Sequence, residues 1–171
     1  MGELRVDHVI YAVEELDTAA QRFRDEFGLA SVVGGRHPGW GTANRIVPLG
    51  HDYVELVSVA DREQAAASEF GRSVMDVVAS GRRLIGWAVA TDDLQGIASR
   101  LDLEVMHGSR ITPDGSALRW QLAGVARALS PPGRCRSLSS GTLHRSNTLG
   151  QLWRNTTFDR AGPRGSRSPP R

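Results

Sequence analysis

"HVIYAVEELDTAAQRF", His8 to Phe23, returns in altered form as "GWAVATDDLQGIASRL", Gly86 to Leu101. With a one-residue slip inside the strand, each copy passes from an apolar β-like run, through an acidic pair and a leucine, into a helix-like run. The matching points are Glu14-Glu15-Leu16 and Asp92-Asp93-Leu94. A unit met twice implies two similar small modules packed together, and 171 residues suit that arrangement better than two large domains.

Around the first copy, "RVDHVIYAV", Arg5 to Val13, is rich in β-branched residues and reads as a strand. Leu16, Ala19, Ala20, Phe23 and Phe27 then recur at helical spacing, with Asp17 in the first turn and Gly28 as the stop. Three β-like runs follow over residues 29–36, 44–50 and 52–60. Between the first two, "HPGWGTA" predicts a loop, because Pro38, Gly39 and Gly41 oppose any regular element there. Residues 61–81 predict one connecting helix with Ala66, Phe70, Val74, Val77 and Val78 along its apolar stripe. Around the second copy come a strand over 83–93, a helix over 93–103, a strand-like run over 104–110, the turn "TPDGS" and a strand over 117–127. The second module, so read, lacks its last strand.

Charge divides the chain at the same place. Residues 1–130 hold 13 arginines and 18 acids, whereas residues 131–171 hold eight arginines against Asp159 alone. That tail is poor in apolar residues and is expected to be disordered. Arginine-rich disorder can neutralise phosphates, but the arginines are scattered and only Trp153 and Phe158 interleave them, so nucleic-acid binding is the weakest reading. Cys135 stands alone, which excludes an internal disulfide and a cysteine-rich metal site. No apolar run approaches the roughly 20 residues of a membrane span, and the acidic start does not resemble a signal peptide; the expectation is a cytoplasmic protein with no membrane partner.

Among single residues, Glu55 in "YVELVSV" stands out. Tyr53, Glu55 and Val57 share one strand face, and a carboxyl placed among apolar neighbours is costly unless a cation or hydrogen-bond donor meets it. His37, Trp40 and Asn44 sit in or beside the glycine-rich loop and are candidates for ligand contact, against a purely structural role in the turn. Arg110 and Arg119 could hold a substrate carboxylate; equally, one could pair with Asp114 across its turn and the other with a helix acid. His51 and His107 read as surface histidines, Trp87 and Trp120 as core.

Together, "DHVIYAV", "GGRHPGWGTAN", "YVELVS", "GWAVATDDL" and "SRITPDGSALRWQL" resemble the vicinal oxygen chelate superfamily and, within it, the glyoxalase-like domain proteins, over residues 5–125. The resemblance implies an α+β fold of two βαβββ modules curled into an incomplete barrel around a small-molecule cavity. It sets module one at 1–61, a linking helix at 62–81, module two at 82–128 and the tail at 129–171. It also implies metal ligands on the first and last strands of each module, which His8 and Glu55 match here, with Glu55 as the catalytic residue. An imidazole and a carboxylate suit a divalent ion, and open coordination positions would take a substrate with two adjacent oxygens. The second module departs from this pattern, since Gly86 or Trp87 stands opposite His8 in the repeat. Three readings follow: a metal-dependent lyase, isomerase or dioxygenase acting on an oxygen-rich molecule; a metal-free protein that sequesters or senses such a ligand; and the nucleic-acid binder. An open sheet edge would favour a homodimer.

Members of this family finish the second module with a strand of the kind "LPFFIEW". One permitted encoding of "RCRSLSS" and the first two bases of Gly141, CGC TGC CGT TCT TTA TCG AGT GG, reads "LPFFIEW" when triplets begin at the third base. This predicts a frameshift or sequencing error near Ser130, with the missing carboxylate ligand encoded in the other frame.

Overall fold

A computed structural model describes residues 4–125 in full and residues 137–141 as backbone. The first module runs β1 (Leu4–Ala12), α1 (Leu16–Phe27), β2 (Val32–His37), β3 (Thr42–Leu49) and β4 (Asp52–Val59). Strands β2, β3 and β4 form an antiparallel meander whose last strand lies parallel beside β1. Two short helices, α2 (Arg62–Ala67) and α3 (Glu69–Ala79), lead to the second module: β5 (Leu84–Thr91), α4 (Leu94–Leu101), β6 (Val105–Ile111), β7 (Ala117–Ala123) and β8 (Ser137–Gly141). The pairing order is β1-β4-β3-β2 in one half and β5-β8-β7-β6 in the other, so the repeat read in the sequence is also a repeat of topology. The halves meet along antiparallel β1 and β5 and through Arg36 opposite Ile111.

The seven strands of residues 4–125 give the α+β curled sheet that the sequence implies, with a gap between β5 and β7. Strand β8 lies in that gap, parallel to β5 and antiparallel to β7. The expectation of a second module without its last strand is thereby corrected at the level of the backbone. Ladder bonds use N–H and C=O groups that every non-proline residue carries, and the edges of β5 and β7 present them, so pairing does not require apolar alternation. The expected boundary at 128/129 and the rest of the expected disordered tail, residues 129–136 and 142–171, lie outside the described residues. Among the described residues, no helix is long and apolar enough to cross a membrane.

Both faces of β4 are covered, which accounts for its nearly unbroken apolar run. Val54 and Leu56 pack outward against Val47, Tyr11 and the Leu16, Ala19 and Phe23 stripe of α1. Val57 points inward, where Phe70, Val74 and Val77 of α3 meet Ile10, Ala12, Ala88, Leu122 and Val125 from both modules. Phe70 thus ties the two halves together, and truncating such a residue to alanine typically costs about 3–5 kcal/mol.

The single connecting helix expected over 61–81 is two helices. Ser68 is extended (φ −105°, ψ 147°), its Oγ accepts from the Gly71 N–H at the start of α3, and its hydroxyl donates to the Trp40 carbonyl. Asp61 caps α2 through the Gln64 N–H. The apolar stripe continues across the break, so periodicity alone could not show it. The loop expected over 37–43 contracts to the turn Pro38–Gly41, flanked directly by β2 and β3. Gly41 has φ +67°, its carbonyl accepts from Ala60 and Asp61, and a Cβ there would run into the backbone of Asp61 and Ala65.

Candidate functional site

The inward faces of β1 to β7, together with Trp40 and Phe70, line a cavity of about 730 Å³ including its open mouth. Its polar side is built first from β1. Pairing with β5 slips between Val6 and His8, leaving Asp7 as an extra residue in the ladder. Such a bulge re-aims side chains, and here Asp7 and His8, although adjacent, both reach the cavity lining. His8 Nδ1 lies 2.8 Å from Asp7 Oδ2, and the imidazole stacks on Tyr53 with ring centroids 4.5 Å apart. An imidazole whose Nδ1–H is held by a carboxylate presents Nε2 as its free nitrogen.

That nitrogen faces Glu55. His8 Nε2 stands 3.5 Å from Glu55 Oε2, while Asn44 Nδ2 donates to Glu55 Oε1 at 2.6 Å. His37 Nε2 approaches the same Oε1 to 3.7 Å, and His37 Nδ1 lies 2.9 Å from the Thr42 hydroxyl. Asn44, Glu55 and His37 are all buried. Burial lowers the His37 pKa below its ordinary 6.5, with Arg110 acting in the same direction and Glu55 partly opposing. A neutral His37 that faces a carboxyl through Nε2 carries its proton there, so Nδ1 accepts from Thr42. Burial also holds the Tyr53 hydroxyl well above the ordinary phenol range, reinforced by Glu55 and Asp7, so it remains protonated.

From His37 the lining continues into Trp40, Trp120 and Phe70 as an aromatic wall: centroids lie 5.7 Å apart for His37 and Trp40, 6.1 Å for Trp40 and Trp120, and 5.1 Å for Trp40 and Phe70. Arg110 from β6 is 5% exposed and completes the lining.

The residues singled out in the sequence therefore divide. His8, His37, Trp40, Asn44, Glu55 and Arg110 come together around one cavity. Arg119 does not: β7 sets it opposite Ser109, one position out of phase with Arg110 and Leu118, and it is exposed on the other face. The alternative ion pair with Asp114 is also not formed, since that carboxyl is taken by the Thr112 hydroxyl and the Ser116 N–H. Asn44, weighed as a turn residue, instead reaches across to Glu55. Trp120 packs against the core and lines the cavity as well. Asp7 and Tyr53 were missed as functional groups; the adjacent Asp-His pair and the shared face of Tyr53 and Glu55 were the available signals.

As metal ligands, His8 Nε2 and the Glu55 carboxyl supply two converging donors, with Asp7 set behind the imidazole as an orienting partner. Catalytic sites for such ions ordinarily use three protein ligands. Among the described residues no group of three or more His, Cys, Asp or Glu could hold a metal ion, so the donors described do not complete a site.

A family model described as "Glyoxalase-like domain" matches residues 6–145. Among solved structures, a hypothetical protein from Staphylococcus aureus superposes with TM-score 0.68 at 18% identity, over 89% of this chain and 64% of that one. This chain thus spans less than two thirds of that protein's length. A Streptomyces coelicolor methylmalonyl-CoA epimerase variant in complex with 2-nitronate-propionyl-CoA superposes with TM-score 0.56 at 15% identity, over 82% of this chain and 95% of that one. The methylmalonyl-CoA epimerase from Mycobacterium tuberculosis gives 0.55 at 18% identity, over 85% and 91%. At these identities the likeness is one of fold. No curated protein matches the sequence.

Proposed function

The chain belongs to the glyoxalase-like domain family of the vicinal oxygen chelate superfamily, and from that premise we propose that its cavity binds a small oxygen-rich molecule and moves a proton on it. The observation that carries this reading is the buried Glu55 carboxyl, with one oxygen fixed by Asn44 and the other facing His8 Nε2 at 3.5 Å inside an otherwise largely apolar cavity. Glu55 Oε2 is the accepting atom for a proton on a carbon next to a carbonyl. His8, oriented by Asp7, is the group that exchanges that proton with Glu55 or returns it at a neighbouring position. The protonated Tyr53 and the aromatic wall keep the site dry enough for these hydrogen bonds to act at low dielectric. The class of reaction is an isomerisation, or a lyase step that begins with the same proton abstraction.

This chemistry rests on protein groups alone. A divalent ion would be held by His8 and Glu55 only if a further carboxylate joined them, and under the permitted encoding given above the shifted frame would put a glutamate codon at about position 140. The backbone register pairs that position with Leu122, a cavity-lining residue.

The incomplete donor set favours, as a second reading, a metal-free protein that retains its ligand without turnover. Glu55→Gln separates the two. Under the catalytic reading the variant keeps its fold and ligand affinity within a few-fold while turnover falls by roughly 10²–10⁴. A wild-type protein that binds a compound released unchanged under all conditions would establish the second reading instead.

A further inference from the structure

Two buried polar atoms lack a hydrogen-bond partner among the described residues: Arg110 Nε and Asn44 Oδ1. The two side chains flank the same glycine. A Cβ on Gly34 would overlap Asn44 Oδ1 and stand 3.2 Å from Arg110 Nη1, so the absent side chain leaves these two groups side by side at the cavity wall. Glycine here makes room for the site rather than for a turn.

The two unmet needs are opposite in kind. A guanidinium has only donors, and burying it without a counter-charge is costly. No carboxylate among the described residues lies within ion-pair distance of Arg110: Asp7 lies against His8 and Arg5, while Glu55 accepts from Asn44 and faces the two histidines. Asn44 has already committed its amide N–H to Glu55, so its oxygen can only accept. A group seated at this corner of the cavity must carry negative charge toward Arg110 and offer a donor toward Asn44. A carboxylate with a hydroxyl on the adjacent carbon does both. One buried guanidinium matches one negative charge, and the nearby Asp7 and Glu55 carboxyls disfavour a dianion such as a phosphate ester. Beyond this corner the lining is Trp40, Phe70, Leu118, Trp120, Leu122 and Val125, which suits an apolar or aromatic body.

We infer that the cavity recognises small 2-hydroxy carboxylic acids with an apolar or aromatic substituent, the carboxylate on Arg110, the hydroxyl on Asn44 Oδ1 and the substituent against Trp40 and Trp120. The inference rests on the proposed cavity reading and names its ligand class. It also sets the carbon bearing the hydroxyl within the cavity that Glu55 faces.

Calorimetric titration of the full chain with four probes tests it: mandelate, its neutral amide, phenylacetate and phenyl phosphate. Mandelate is expected to bind about tenfold to a hundredfold more tightly than the neutral amide, the range of one charge-assisted contact. It should also bind several-fold more tightly than phenylacetate, which lacks the hydroxyl, and more tightly than phenyl phosphate. Arg110→Gln should erase the difference between acid and amide. Should that variant fail to fold, the wild-type ranking and Arg110→Lys, which keeps the charge and loses the fork, decide the matter. Equal binding of acid and amide, no binding of mandelate, a preference for phenyl phosphate, or mandelate affinity indifferent to Arg110→Gln would each overturn the inference. Proton exchange on a bound compound is a separate readout, so a failure of the Glu55 chemistry with acid binding intact is distinguishable from a failure of the Arg110 subsite.

Discussion

Glu55 holds its place through partners, and those partners predict its behaviour. Removing the amide with Asn44→Ala leaves Oε1 facing the cavity without its 2.6 Å donor, and a buried acceptor so orphaned costs about 1–3 kcal/mol, measurable by urea unfolding. Asn44→Asp should cost more, since it sets two carboxyls against each other. His37 supplies a pH signature. Its folded-state pKa lies below the unfolded value near 6.5, so the unfolded chain binds more protons between the two values. Stability from this residue is complete above 6.5 and is lost as pH falls toward the folded value. Thermal melts from pH 7.5 to 5 should therefore decline below 6.5, and His37→Asn should flatten that part of the decline. At this scale the sequence was informative where chemistry was conspicuous: a carboxyl inside an apolar strand, a histidine in another, a glycine-rich corner. Asp7 was illegible because its inward turn depends on a bulge set by pairing with β5, a strand some 80 residues further along. Arg119 misled for a related reason, since two arginines on neighbouring strands share a face only if the register agrees, and here it differs by one.

Among the elements, the strand-to-helix openings were legible twice because they obey local rules: an extended apolar run, an acidic residue at the helix start, a helical stripe. The break at Ser68 was not, since alanines on one side and Phe70, Val74 and Val77 on the other keep one stripe running through it. Tertiary hydrogen bonding makes the break, with Ser68 Oγ serving both the α3 start and the Trp40 carbonyl. Ser68→Ala should cost about 1 kcal/mol as the loss of a helix cap, which lowers the melting temperature by roughly 2–4 °C in a chain of this size. Because Ser68 also holds the Trp40 turn, the same variant should weaken ligand binding at the aromatic wall; a loss of stability without any change in affinity would show that the turn holds itself.

For the whole molecule, two modules of one topology join at β1 with β5 and at β2 with β6, and the cavity lies between them with its polar corner mostly from the first. The asymmetry follows from the repeat itself: where β1 has His8, the second module's β5 offers Trp87 and Gly86, and Ala88 contributes only apolar lining. Strand β8 completes the ring, and it overlaps the stretch for which a permitted encoding would read "LPFFIEW" in the shifted frame. If a carboxylate belongs there, Ser140→Glu should confer a rise in melting temperature with added Mn²⁺ or Zn²⁺ that wild type lacks, and sequencing the gene from Leu129 onward should show the shifted frame. An unchanged reading frame with no metal response in the variant would remove the third ligand from consideration. The central claim is that Glu55 moves a proton on a bound molecule, and the most direct measurement is deuterium incorporation from D₂O into small hydroxy and carbonyl compounds, followed by NMR for wild type and Glu55→Gln at matched stability. The account predicts incorporation at the carbon next to the oxygenated group with wild type, reduced by roughly 10² or more in the variant; incorporation at equal rates in both proteins, or none across the series with wild type, would contradict it.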